Sequence, residues 1–259
     1  CGNLVVQTNT EVSNSITIGS GKTLTLTSSS VNNVISVGSS GSAKLQIAGV
    51  TGTLTVNDAT RDIVVATTSG SPATTQTLDL SGLGNFSATV ANLYIGNPRS
   101  SSGAASSGVA NNDTLTLAGN NTITASDTNG IVVGGASSSG GSGGTQKLKL
   151  GTTNVLNATR FVIGASRSSG ALEFNTGLTN PSVTLRGATG GTTRTDIYLG
   201  DQGITLNPGI SQSGGGSTSI SGTMNFTGGT VNARIDNLIV GMGSINSSSR
   251  PSGNGIFTM

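Results

Sequence analysis

The chain contains no histidine and no tryptophan, and it carries a single cysteine, Cys1. Without histidine, neither a Ser-His-Asp nor a Cys-His nucleophile arrangement can be built, and every histidine metal site is excluded. One cysteine excludes an internal disulfide framework. Aromatic residues are only 3% of the 259, too few for the stacking platforms on which single-stranded nucleic acid binders depend. Charged residues are 8%, twelve basic against ten acidic, and the net charge of +2 comes from scattered side chains rather than a basic patch. No apolar run reaches the roughly 18 residues of a membrane-spanning helix. No basic and apolar leader opens the sequence either, so a signal peptide is expected to have been removed or to lie outside it. Helix signals are also missing: no window combines apolar residues at i, i+3, i+4 and i+7 with a cap and good helix formers.

What is present is repetition. Glycine occurs 41 times, and 33% of residues are hydrophobic, patterned too regularly for a flexible linker. One phrase returns along the chain: two apolar residues flanking a variable one, then glycine, then a Ser/Gly run. It is written at Ile16 to Gly19, Ile35 to Gly38, Leu93 to Gly96, Ile131 to Gly134, Phe161 to Gly164, Ile197 to Gly200 and Leu238 to Gly241. Ile63 to Ala66 is a degenerate copy with alanine in the glycine position. Gly19 and Gly38 lie 19 residues apart, a length that suits one turn of a β-solenoid. The longer later intervals are expected to hold either a second turn or an inserted loop. The stretches Asn97 to Asn112 and Ala136 to Gly144, nearly all Ser, Gly, Ala and Asn, are expected to be loops extruded at corners.

Between the phrases run alternating segments. Thr23 to Thr27 places Leu24 and Leu26 on one face and three threonines on the other. Leu45 and Ile47, Leu78 and Leu80, Leu115 and Leu117, Leu148 and Leu150, Leu172 and Phe174, Val183 and Leu185, and Met224 and Phe226 are further apolar pairs with one residue between them. Strands this short bury one face, leaving the other wet or covered by loops. Parallel pairing without crossover helices requires the chain to coil on itself, so the expected fold is all-β: a single-stack parallel β-helix, one domain over residues 1–259. An antiparallel sandwich is the structural alternative. About ten rungs, roughly 4.8 Å apart, would give a rod on the order of 50 Å long. Asn33, Asn121, Asn154 and Asn157, near corners, are candidates for stacked amide ladders.

The order apolar, x, apolar, Gly, Ser/Arg-rich loop, Leu-x-Phe, Asn, Thr, clearest at Phe161 to Thr176, resembles the autotransporter-associated β-strand repeat of large bacterial surface proteins. The likeness runs over roughly Ile16 to Val240. It implies a right-handed parallel β-helix, an extracellular or cell-surface location, and a scaffold, fibre or adhesive role. It offers no catalytic residues, and the outer-membrane barrel of that family is not in this sequence.

The leading expectation is therefore a non-enzymatic extracellular structural protein without cofactor, metal or catalytic residues, acting as a fibre, spacer or adhesive stalk. No charged or proline-rich cap is evident at Met259, so end rungs are expected to offer edges for self-association into filaments. Surface glycans or other cells are the expected partners; nucleic acid is not. Cys1 is either a lipid-anchored first residue or the end of a cut. The alternative is a carbohydrate-active β-helix enzyme. Asp58 with Asp62 and Asp196 with Asp201 are the acids close in sequence, beside Arg61 and Arg194, and Asp196, Asp201 and Arg194 are the best groove candidates. Solvated surface ion pairs are the plainer reading. The run Gly140 to Gly144 lacks the aspartate of calcium-binding solenoids. A glycan- or ice-binding module is the third reading, with Thr23, Thr25, Thr27, Thr114 and Thr116 as rows. Lys147, Lys149, Glu173 and Asp79, standing at equivalent places, are expected to break those rows.

Overall fold

A computed structural model of the chain describes residues 3–6, 12–27, 33–38, 42–66, 75–96, 112–135, 143–165, 168–204, 219–243 and 252–259. Among these residues there is no helix; 22 strands join in parallel pairs, with one antiparallel bridge between Ala165 and Ser168. The chain is a β-solenoid with three strand-bearing faces.

The first face stacks Leu4–Val6, Asn33–Val37, Asp62–Val65, Leu93–Ile95, Ile131–Val133, Arg160–Ala165, Thr195–Asp201 and Ile235–Val240. The second stacks Val12–Thr17, the start of Ala43–Asp58, Gln76–Asp79, Thr114–Thr116, Gly143–Leu150, Ser168–Phe174, Ile220–Asn225 and Gly253–Thr258. The third stacks Thr23–Thr27, the end of Ala43–Asp58, Leu83–Val90, Asn120–Ala125, Thr153–Ala158, Ser182–Arg186 and Thr230–Ala233. Eight strands on each of the first two faces and seven on the third, rather than ten, make a stack roughly 34 Å long among the described residues at the parallel strand spacing.

Register decides the core. Because each strand sits directly over its predecessor, inward residues meet their own kind: Ile35, Ile63, Leu93, Ile131, Phe161 and Ile197 form one column on the first face. Leu45, Leu78, Leu115, Leu148, Leu172 and Met224 form another on the second. All are buried. Near one end the rings of Phe174, Phe226 and Phe257 follow one another at 5.6 and 6.1 Å, in tilted and edge-on contact.

The glycine phrase has a backbone cause. Gly38, Gly96, Gly134, Gly164, Gly200 and Gly241 all take positive φ, from 61° to 105°, at the corner leaving the first face. The next rung also lies close: a Cβ on Gly164 would collide with the Ser221 carbonyl. Ala66 fills the same corner without a positive φ.

Ile16 to Gly19 is not a copy of this phrase, because Ile16 pairs with Ile47 on the second face, and Gly19 lacks the positive φ. Nineteen residues therefore measure two faces, not a turn; Leu4 lies under Ile35, 31 residues on. The later intervals each hold one turn, and only that between Gly38 and Gly96 holds a second, built on Ile63 to Ala66. Residues 97–111 and 136–142 of the expected loops lie outside the described residues, and Gly143 and Gly144 belong to a strand rather than a loop.

The Gly164→Ala variant is expected to lose more than about 1 kcal/mol of stability through strain and collision, whereas Gly19→Ala, whose nearest neighbour beyond the adjacent residues is Lys22 Cγ at 3.5 Å, should stay within about 0.5 kcal/mol of the parent. Denaturant unfolding of the two variants checks this.

Candidate functional site

The corners carry polar ladders that the core cannot hold. At the corner entering the second face, each backbone N–H is donated to a side chain one rung along. Ala43 N donates to Gln76 Oε1 at 2.9 Å, Gln76 N to Asp113 Oδ1 at 2.9 Å, and Asp113 N to Gln146 Oε1 at 2.7 Å. Gln146 Nε2 then donates to Ser168 Oγ at 2.9 Å. Gln76, Asp113, Gln146 and Ser168 are all buried. Burial pushes the Asp113 carboxyl up to about 8, against the smaller opposing effect of the Gln76 N–H. Asp113 is thus a neutral acid at pH 7, which a buried ladder tolerates far better than a carboxylate.

A second ladder enters the first face. Asp62 Oδ1 accepts from Asn92 N at 3.1 Å and from Asn92 Nδ2 at 3.0 Å, and Asn92 Oδ1 accepts from Gly130 N at 2.9 Å. Of the four asparagines expected to form amide ladders, Asn121 and Asn154 do so: Asn121 Nδ2 donates to Asn154 Oδ1 at 2.9 Å, and each also donates to the carbonyl three residues before it, that of Ala118 or Gly151. Asn157 donates instead to Thr124 Oγ1 at 3.3 Å, and Asn33 stands in register with Asp62.

The acids singled out by sequence spread over separate tasks. Asp58 holds its own turn by accepting from Thr60 N and Thr60 Oγ1. Asp196 accepts from Asn237 N and Nδ2 at 3.1 and 2.8 Å, while Arg194 donates to the Ile235 carbonyl. Asp201 is buried past the glycine corner, accepts from Gly203 N at 2.7 Å, and is raised by burial. Asp196 and Asp201 thus sit at opposite ends of one strand, Asp196 bonded to Asn237 on the next rung and Asp201 to the backbone of its own turn. Among the described residues no group of three or more Cys, Asp or Glu is placed to hold a metal ion, and Cys1 lies outside those residues.

Outward residues distinguish the faces. On the first face the middle residues of the phrase, Val64, Tyr94, Val132 and Val162, point away from the core yet are buried, forming a second apolar cluster with Ala66, Ala165 and Ile204. At its edge Asn129 Nδ2 donates to the Tyr94 hydroxyl at 2.9 Å, and Arg160 donates to Asn129 Oδ1 at 2.6 Å. The second face is polar and charged: Gln46, Asp79, Thr116, Lys149, Glu173 and Asn225 form one outward column. Lys149, Glu173, Phe174, Thr176, Asn225 and Thr227 line a shallow depression of about 220 Å³ there.

The third face differs from both. Its middle outward column runs Thr25, Thr55, Ser87, Thr122, Val155. On one side runs Thr23, Thr53, Asn85, Asn120, Thr153, and on the other Thr27, Asn57, Thr89, Thr124, Asn157. Fourteen of these fifteen side chains bear a hydroxyl or an amide, and none is charged or aromatic. In the rung beyond, Ser182 and Thr184 continue two of the columns, while buried Arg186 ends the third and donates to the Gly191 carbonyl and to Asn232. The expectation that Lys147, Lys149, Glu173 and Asp79 interrupt the threonine rows is overturned for this face. They belong to the second face with Thr114 and Thr116, while Thr23, Thr25 and Thr27 belong to the third. Sequence reasoning merged the faces because both read as alternating Leu-x-Leu.

The Asp113 assignment sets a pH dependence. With the folded carboxyl raised to about 8 and the unfolded one at its ordinary value of 3.8, the folded chain binds the extra proton between those limits. Stability should therefore fall as pH rises from about 4 to about 8, and Asp113→Asn, which keeps the acceptor for Gln76 N, should remove that component in denaturant titrations run across this range. The sequence matches no protein-family model, no curated protein and no solved structure.

Proposed function

We propose that this chain is an extracellular structural protein, a solenoid fibre, spacer or adhesive stalk that extends by end-to-end contact between copies. The observation that carries this reading is the uninterrupted parallel stack, in which three strand ladders and one apolar core run along the same axis. Pulling along that axis loads backbone ladders and core contacts in every rung, and protease access needs an extended segment that the stack withholds.

Apolar columns are exposed at both ends of the described stack, open to a further rung from another copy or from a continuing chain. At the last rung Leu238, Val240, Ile256 and Met259 are exposed, although Leu238 and Val240 continue columns buried one rung before. At the first rung Leu4, Val6 and Ile16 line an open depression of about 300 Å³. Unpaired backbone edges next to exposed apolar columns are the usual template for adding a strand.

Electron microscopy of the purified chain should show rods whose length increases with protein concentration in multiples of one particle. Val240→Lys together with Ile256→Lys should shorten them to single particles while circular dichroism stays unchanged. Particles that remain single at high concentration would remove the end-to-end element of the reading.

A further inference from the structure

We propose that the third face is a binding surface for ice, recognising lattice-ordered water rather than a soluble ligand. The argument starts from spacing. Columns of like residues repeat along the axis at about 4.8 Å, and successive outward residues on one strand are about 6.6 Å apart, so the array is two-dimensional and rectangular. Over the first five rungs the three outward columns pair without a register shift. Hexagonal ice exposes prism planes whose oxygens also repeat along two perpendicular directions, one repeat slightly shorter and the other somewhat longer than those of the array.

The side chains suit that surface. Threonine is β-branched and holds few rotamers, so a threonine column presents hydroxyls and methyls in fixed alternation. Each hydroxyl both donates and accepts, as each water of a lattice does. Contacts along the columns hold the amides in place: Asn85 Nδ2 reaches Thr53 Oγ1 at 3.5 Å, and Asn120 Nδ2 reaches Asn85 Oδ1 at 3.4 Å. Val155 in the middle column has the shape of threonine without its hydroxyl.

Chemistry separates this occupant from others. A charged side chain would impose its own tight hydration shell on the array, and none stands in these columns. For the same reason the face lacks attraction for nucleic acid, anionic glycans or mineral. No aromatic ring lies in the columns to stack on a sugar ring, which weighs against crystalline polysaccharide. The second face, with Lys149, Glu173 and Asp79, has the opposite character in the same molecule and serves as an internal control.

This inference is independent of the fibre reading, because it is measured on dilute protein and needs no assembly. The full chain should depress the freezing point below the melting point and enter a slowly grown ice hemisphere. Thr55→Lys with Thr122→Lys, at the centre of the array, should lower the freezing-point gap at least tenfold and exclude the protein from ice. Gln46→Lys, on the second face beside Asp79, should change neither. Circular dichroism of all three proteins establishes that they are folded, and Thr122→Lys alone serves if the double variant is not. No freezing-point gap in the parent, or a gap that survives the central lysines, would overturn the proposal. Co-sedimentation with cellulose or chitin in the absence of any effect on ice would also overturn it and assign the face to a polysaccharide.

Discussion

In-register parallel hydrogen bonding is the constraint on which everything else in this chain depends. Strands stacked about 4.8 Å apart place each residue over its counterpart, so a position's character must be kept rung after rung. Leucine over leucine builds a core from narrow side chains, and threonine over threonine builds a wall. The composition follows from this geometry. With every interior slot only one strand thick, there is little room for tryptophan, and a charge repeated in a column would repel its neighbour. Glycine is abundant because each turn bends sharply beside the backbone of the next.

The same stacking handles the polar groups that corners expose. A corner breaks the sheet ladder and leaves N–H groups inside. The chain answers with side chains from the neighbouring rung, Gln76, Asp113 and Gln146 at one corner and Asp62 and Asn92 at another. A neutral Asp113 serves there as a carbonyl-like acceptor, its burial setting its protonation. Asn121 and Asn154 extend the same device to another corner, where one buried amide donates to the next along the axis. These residues look like scattered polar interruptions in the sequence, yet each is aligned by register with its partner.

Three faces on one core have separate outer chemistries. The first turns apolar residues outward and buries them, so the chain carries a second, smaller core outside the first. The second is charged and wet; the third is neutral and hydroxyl-rich. A solenoid permits this division because outward residues contact mainly their own face, and one face can change with little disturbance of the others.

The sequence by itself determined the fold class. Period-two apolar pairs, a recurring apolar-x-apolar-glycine phrase and the absence of helix signals leave parallel coiling as the way to pair such strands, and the asparagines at 121 and 154 were visible as ladder partners. It also marked Gly164 and its equivalents as corners. Which strand lies over which was decided only by the tertiary structure. Ile16 to Gly19 has the letters of the phrase but belongs to another face, because local pattern records the alternation of side chains and not the direction in which a strand leaves its corner. Asp113 and Gln146, 33 residues apart, carry no local signal of the bond that joins them. For the same reason the threonine columns and the lysine column were one pattern in the sequence and became two surfaces in the fold: the identity of a face is a property of register, and register is set by hydrogen bonds between turns.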